Sequence, residues 1–425
     1  MATRVAQSIN TIVLRICAIF LSVSGMQQMS NRNVLISGAG IAGPALAFWL
    51  KRYGFTPTVV EKAPTLREGG QAIDVLGTAT EVVRRMGLLE RVQELGTGKR
   101  GTSYVDARGR VRASISSETF NGVGANGDTE IQRGDLARVL YEATRDVEYM
   151  FGDSITALTQ DQDGARVSFE HASPRTFDLV IGADGAHSHT RALAFGPEAQ
   201  FARHMGYYIG IYTVPNFLGL DHWELDYNTP GMIAGAYSAR ENTEAKAIFA
   251  WASDPIDYDH RDAGQQKKIV ADAFAGQGWQ VPQLLAHLDD APDFYFDAMT
   301  QIHMDTWHNG RVALVGDAGY CASPLSGQGA DLSLVGAYSL AGELATAAGD
   351  HTIAFPAYEQ QLRPMVDACQ KFAEGTGAWY APAGKVMIGF RNLNVRLLPY
   401  LPWRGLIGGA PQKVARTIAA KDYAA

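Results

Sequence analysis

The spacing of apolar positions changes along the chain, and each change marks an element. The run VLI at residues 34–36 stops at Gly38, Gly40 and Gly43, and a helical stretch to Tyr53 and a second apolar strand, TPTVVE, come after it. Strand, glycine turn, helix and strand make one βαβ unit. The loop that begins LREGGQ leads into an amphipathic helix with apolar positions at Val82, Val83, Met86 and Leu89, and TEIQRGDLARVLYEA predicts a helix from about Gly134, preceded by Arg133. From about Val147 to Phe177 the pattern is short and alternating with Gly and Asp turns, which predicts a meander or hairpin. DLVIGADG is a buried strand ending at Asp184 and Gly185.

Between about Phe201 and Thr300 the alternating runs lengthen (YYIGIYTVP, GMIAGAYSA, AKAIFAWASDP), predicting an antiparallel sheet with one face free to line a cavity. Its aromatic residues Tyr207, Tyr208, Tyr212, Trp223, Tyr237 and Trp251 suit either a core or the wall of a flat-ring pocket, and Tyr212, Trp223 and Tyr237 are the substrate-facing candidates. GRVALVGDAGY returns to a buried strand, followed by a glycine loop and the helix LSLVGAYSLAGELATAA; after Leu362, helical runs break at Pro382, Pro399, Pro402 and Pro411. RLLPYLPWRGLIGG is apolar, but its prolines and glycines predict a packed, irregular tail. No internal repeat and no low-complexity linker is evident.

Composition narrows the classes. At 425 residues, with 46% apolar and 19% charged positions and a formal charge of −7, the chain buries a large core and lacks the clustered Lys and Arg of a nucleic-acid surface. Three cysteines, Cys17, Cys321 and Cys369, are too few and too scattered for a disulfide framework or a zinc site, so no metal is expected and a reducing, cytoplasmic setting is. No histidine near Cys321 in sequence is placed to activate it, so it reads as a packing residue. The apolar run from roughly Thr11 to Val23 is interrupted by Arg15 and shorter than the ~20 residues that span a bilayer. A secretory reading lacks a small-x-small cleavage site before Met29, and residues 1–30 are expected to be an extension, with Met29 as the natural start.

The glycine turn carries the first chemistry. Gly38, Gly40 and Gly43 have the G-x-G-x-x-G spacing, and Glu61 ends the next strand, 23 positions after Gly38. Gly38 permits a tight turn, Gly40 lets a pyrophosphate approach, Gly43 lets the helix pack on the strand, and Glu61 accepts from a ribose hydroxyl. The alternative is a glycine-rich turn with no ligand. No second such turn follows a strand, so one dinucleotide is held permanently and any second one binds without a Rossmann domain of its own.

GAGIAG (38–43), DLVIGADGAHSHTR (178–191) and GRVALVGDAGYCASPLSGQG (310–329), with EIQRGDL and YEQQLRP between and beyond them, resemble the FAD-dependent aromatic hydroxylases, the group A flavoprotein monooxygenases of the para-hydroxybenzoate hydroxylase fold. Within that family the text is similar to the branch of polyketide hydroxylases and tetracycline-inactivating monooxygenases. The resemblance implies an α/β fold: a Rossmann-like FAD-binding domain in two parts (31–198 and 301–362), an inserted antiparallel β-sheet substrate domain (199–300) and a C-terminal helical segment (363–425). It implies that Asp317 bonds the ribityl chain, and that Pro324, Gly327, Gln328 and Gly329 with the helix start behind them face the pyrimidine edge. Asp184 and Gly185, supported by Arg191, would serve FAD and the approach of NADPH. Arg133 would contact the cofactor, Arg67 would reach the pyrophosphate, and Ala42 and Lys62 complete the cofactor-facing set. Bland readings stand beside these: Asp184 and Asp317 as turn residues, Arg133 as a solvated helix start.

The activity implied is hydride transfer from NAD(P)H to FAD, reaction with O₂ to a flavin C4a-hydroperoxide, and oxygen transfer to a small aromatic or polyketide-like substrate. The chain is expected to act as a monomer or homodimer without nucleic acid or membrane, and no side chain is named as catalytic. The family's more common GDAAH reads GDAGY here, with Gly319 and Tyr320 in place of Ala and His. The competing classes are a flavin-dependent reductase or dehydrogenase acting on an isoprenoid lipid and a non-catalytic flavoprotein sensor. The W-x-W-x-I-P stretch of flavin halogenases is not found.

Overall fold

The computed structural model describes residues 30–67, 69–117, 128–400 and 410–423. The expected extension up to Met29 and residues 401–409 of the apolar tail, Pro402 among them, lie outside the described residues.

A six-stranded sheet runs His308–Asn309 (β17), Val312–Leu314 (β18), Leu179–Gly182 (β11), Asn33–Ser37 (β1), Thr56–Glu61 (β2) and Glu148–Phe151 (β7) from edge to edge. All its pairs are parallel except β17 with β18. Its strands read as continuous apolar runs because both faces are covered. Val34, Ile36, Leu179 and Ile181 point to the Ala42–Arg52 and Gly329–Thr346 helices, where Leu46, Trp49, Leu332 and Val335 pack. Leu35, Val60, Val180 and Val312 point the other way, onto the meander of Ile155–Gln160 (β8), Ala165–Phe169 (β9) and Arg175–Phe177 (β10).

The second sheet runs Tyr295–Ile302 (β16), Ala202–Pro215 (β12), Glu244–Ala252 (β15), Met232–Ala239 (β14), Trp223–Thr229 (β13), Gly101–Val105 (β4) and Val111–Ser116 (β5). It differs from the sequence expectation in two respects. Its outer hairpin comes from residues 101–116, far upstream of the inserted segment, and β4 joins β13 in parallel, so the sheet is mixed. A short ribbon of Ala72–Val75 (β3) and Thr129–Gln132 (β6), whose strands flank β4 and β5 in sequence, is separate from both sheets and meets the second where Tyr237 accepts the Ala72 N–H. The C-terminal segment begins earlier than residue 363: one helix spans His351–Tyr380, accommodates Pro356 and Pro364, and stops just before Pro382.

GDAGY has a structural explanation. Tyr320 is fully buried, its hydroxyl 2.8 Å from that of Tyr358, which donates to the Leu314 carbonyl at 3.1 Å. The Tyr320 hydroxyl occupies the space that a side chain at Gly336 would fill, so tyrosine on one element and glycine on the facing helix form a complementary pair. Gly336→Ala is expected to destabilise by about 1–3 kcal/mol through overpacking, and Tyr320→Phe by about 1 kcal/mol through the lost hydrogen bond. The double variant, lacking the hydroxyl that meets the new methyl group, should lose less than the sum of the two. Chemical denaturation of the four proteins measures this coupling.

Candidate functional site

The three motifs converge at the carboxyl ends of β1, β11 and β18, where open α/β sheets bind ligands. Gly38 has φ +108°, and a Cβ there would lie 2.5 Å from the Ala183 carbonyl oxygen, so the first turn and the end of β11 touch backbone to backbone. A Cβ at Gly43 would overlap the Gly38 carbonyl, so the helix can sit hard against the turn. Glu61 locks this turn: its two carboxylate oxygens accept the Ala39 and Ala63 N–H groups at 2.7 and 2.8 Å, leaving further acceptor capacity on each.

Arg133 opens its helix at the end of β6, its N–H donating to the Gln71 carbonyl at 3.0 Å. Its guanidinium lies 3.5 Å from where a Gly40 Cβ would stand and has no hydrogen bond or ion pair among the described residues. Burial, together with the charge of Arg67, holds it below the usual arginine value, while Tyr295, Asp317 and Glu61 pull it back up. Two arginines, two acids and the turn glycines thus share one neighbourhood. Arg67 and Lys62 are exposed and likewise unpartnered among the described residues.

Across the cleft, the loop after β18 is held by its own serines. Ser326 Oγ donates to the Ser323 carbonyl at 2.8 Å and accepts the Gln328 N–H at 3.1 Å. Gly327 adopts φ +65° with nothing within 4 Å of a would-be Cβ, and a Gly329 Cβ would stand 3.8 Å from Asp317 Oδ1. Burial raises the Asp317 carboxyl above its usual range, against the lowering effect of Cys321 and Arg133. The helix starting at Gly329 presents unpaired first-turn N–H groups on this side. Two buried amides here lack partners: Gln328 Oε1, and both polar atoms of Gln132 beside Arg133. Unpaired cations, orphaned amides and bare glycine backbone around one cleft match a ligand carrying a pyrophosphate and a flat polar ring, as FAD does.

Asp184 is committed within the chain. Its Oδ2 accepts from the Thr190 N–H and hydroxyl, both at 2.9 Å, and lies 3.5 Å from the Ser37 hydroxyl; its Oδ1 accepts from Ser188. Its Oδ2 is thereby committed to bracing the loop, while Oδ1, with one donor, keeps the acceptor capacity that the expected cofactor contact needs; Gly185, at φ +82°, is the bare residue that follows. Arg191 is fully buried and donates to the Ala186 carbonyl at 2.7 Å, Glu198 Oε2 at 2.8 Å and the Ala318 carbonyl at 2.9 Å. Glu198 also meets His187 Nδ1 at 2.9 Å, and His187 Nε2 lies 3.1 Å from Asp297 on β16. Hydrogen bonding to Asp297 and Glu198 raises the imidazole from 6.5 to about 10, which keeps it protonated.

The second sheet turns one face to this cleft. On that face Ile209, Ile211, Ile233, Ile248 and Met299 pack with Leu325 of the serine-held loop and Ala373 of the His351–Tyr380 helix. Tyr237 belongs to the same face and accepts the Ala72 N–H at 3.0 Å. Tyr212 and Trp223 do not. Tyr212 is fully buried on the opposite face, stacked on Phe249 and donating to the Leu284 carbonyl at 3.0 Å. Trp223 donates to Ser103 Oγ at 2.8 Å and covers Gly101. Both are structural, because the strand period of two sends them away from the cleft. The same period brings in residues the sequence reading passed over: Glu224 and Asp226 flank Leu225 in WELDYN, and share the cleft face with Tyr237 and Tyr104.

A family model described as an FAD binding domain matches residues 31–373. A flavin-dependent monooxygenase of Legionella longbeachae is 42% identical over 349 residues, covering 82% of this chain and 88% of that protein. An uncharacterized protein of Mycobacterium tuberculosis is 50% identical over 341 residues, covering 80% and 92%. The crystal structure of the tetracycline destructase Tet(51) superposes with a TM-score of 0.81 at 34% identity, covering 93% of this chain and all of the other.

The His187 ion pairs make a signed prediction. Because the folded value lies above the ordinary one, their contribution is fully present below pH 6.5 and is lost as pH rises through about 10. His187→Gln should lower the melting temperature by only about 1–2 °C below pH 6.5, the pair being partly exposed. The difference from wild type should vanish above about pH 10 in thermal scans across that range.

Proposed function

This chain belongs to the FAD-binding flavin-dependent monooxygenases, and we propose that it uses NAD(P)H and O₂ to hydroxylate a flat, multi-ring phenol or enol. The observation that carries this is the apolar half of the cleft face, where Ile209, Ile211, Ile233, Ile248 and Met299 meet Leu325 of the serine-held loop. An aromatic ring laid on that wall would sit against the cofactor with water excluded. The tetracycline destructase, named for a multi-ring phenolic compound, is a relative in keeping with this class.

Bound FAD supplies the redox chemistry, and the balance is substrate C–H, O₂, NAD(P)H and a proton giving substrate C–OH, water and NAD(P)⁺. Arg133 and Arg67 would neutralise the pyrophosphate and Glu61 would accept from the ribose. Asp317 would anchor the ribityl chain. The N–H groups at Gly327–Gly329 and the start of the following helix would stabilise negative charge on the pyrimidine edge. Asp184, whose Oδ1 keeps acceptor capacity, would serve FAD and the approach of NAD(P)H, and Arg191 would position the loops around it. No side chain is required to supply or remove the reacting oxygen. The regioselectivity would therefore come from how the face orients the ring.

Anaerobic reduction with NADPH followed by mixing with oxygen tests the reading. A transient flavin spectrum distinct from the reduced and oxidised forms, decaying faster with a phenolic ligand, is expected; direct reoxidation with every ligand would overturn it. Arg133→Leu should weaken FAD retention about 10- to 100-fold, the range for a lost charged hydrogen bond, measured by flavin release on dialysis.

A further inference from the structure

The other half of the cleft face is acidic. Asp74 on β3 stands directly opposite Glu130 on β6, a like-charge cross-strand pair that is unfavourable unless something compensates it. Glu224 and Asp226 project two residues apart from β13. Lys99 is the cation among them: its Nζ pairs with Glu224 and lies 3.9 Å from Glu130. Arg391 is engaged beside Asp226, donating to Asn228 Oδ1 at 2.8 Å and lying over the Tyr104 ring at 3.8 Å. Four carboxyl groups therefore share two cations, Lys99 between Glu224 and Glu130, and Arg391, which is also engaged by Asn228.

Hydrogen bonding absorbs only part of this excess: Glu130 accepts from the Thr97 hydroxyl, Glu224 from the Thr102 hydroxyl at 3.0 Å, and Asp226 shares a hydrogen bond with Glu224. Asp226 is 2% exposed, and its Oδ1 has no partner and lies above Gly235, where a side chain would collide with it. Asp74 has no hydrogen bond or ion pair among the described residues. Burial and Glu130 raise the Asp74 carboxyl to about 7, and burial and Glu224 raise Asp226 as well. The charged form of each is thus disfavoured for want of a cation. Asp331, two residues into the helix that starts at Gly329, also has an unpartnered Oδ2 and feels the charge of Asp74, which ties this acidic region to the cofactor cleft. Tyr104, Tyr237 and Tyr380 all sense the Lys99 charge and bring aromatic rings to the same space.

We propose that the substrate carries a basic amine, whose ammonium docks among Asp74, Glu130, Glu224 and Asp226 while its rings lie on the apolar half beside Leu325. This rests on the monooxygenase reading and names its substrate class. An organic cation suits the space better than a metal ion. Among the described residues, the one group of His, Cys, Asp and Glu with ligand atoms close enough for a metal is His187, His260 and Asp297, outside this cluster. Spread carboxylates and tyrosine rings instead match an ammonium with carbon substituents.

The test uses the oxidised FAD holoenzyme without NAD(P)H, titrated with 6-(aminomethyl)-2-naphthol and with 6-ethyl-2-naphthol, its neutral counterpart of similar size. Binding is read by perturbation of the flavin spectrum and by calorimetry. The amine is expected to bind at least about tenfold tighter to wild type. In Asp226→Asn and in Asp74→Asn the preference should fall to within about twofold, with the neutral naphthol little changed. Asp74, partly exposed and unpaired, keeps the test valid if Asp226→Asn folds poorly. Equal or weaker binding of the amine to wild type, or a preference that survives both substitutions, overturns the proposal. The two readings separate cleanly: amine preference without an oxygen-dependent flavin transient supports the amine site and overturns the monooxygenase reading, and the transient without the preference overturns the amine site alone.

Discussion

A buried guanidinium joins the parts of this molecule that must keep register. Arg191 spends its hydrogen bonds on the Ala186 carbonyl of the second motif, the Ala318 carbonyl of the third, and Glu198. Removing such a charge from water is costly unless it is paired and bonded, and here three acceptors surround it. Because Glu198 also holds His187, and His187 holds Asp297, the chain of charges runs from the parallel sheet to β16 of the second sheet. The spacing between the glycine-turn cleft and the second sheet is braced along that line. Asp184, braced by Thr190 and Ser188, keeps the loop that carries these residues in shape.

The second sheet divides its work by the alternation of its strands. Tyr208, Tyr212, Phe249 and Trp251 fill the far side against the Ala263–Ala273 helix, where Val270 packs and Phe274 follows the last turn. Apolar burial there holds the sheet rigid and frees the near side from structural duty. The near side then carries two unlike halves. The isoleucines and Met299 meet Leu325 of the serine-held loop, and the acids of β13 meet the β3–β6 ribbon through Lys99. A mixed wall of this kind can orient a ligand as well as hold it, because one end of the ligand is sorted by desolvation and the other by charge.

The acidic half stores unfavourable electrostatics in the free protein. Opposed Asp74 and Glu130 and the unpartnered Oδ1 of Asp226 are costs that folding alone would not select, and they lie beside the cleft rather than on the outer surface. Strain of this kind, kept where a ligand would relieve it, is characteristic of binding sites.

Some of this was legible in the residues alone. Gly38, Gly40 and Gly43 between two apolar strands, and Asp317 at the end of a third, are local patterns: the tight turn and the strand end are imposed by neighbours in sequence, so reading them requires no partner from elsewhere. The buried parallel strands and the alternating central sheet are periodicities of the same local kind. What only the tertiary structure decided depends on which face of a strand meets which loop, and a strand carries no mark of that. Tyr212 and Tyr237 have the same chemistry and the same period, yet one packs against Leu284 and the other against Ala72. Nothing local to Asp184 announced that the Thr190 N–H and hydroxyl would fold back on its Oδ2. The acids at 74, 130, 224 and 226 come from three strands up to about 150 positions apart, and their shared excess charge exists only once chain folding has put them around Lys99, since electrostatic coupling is a property of distance and burial rather than of order along the chain.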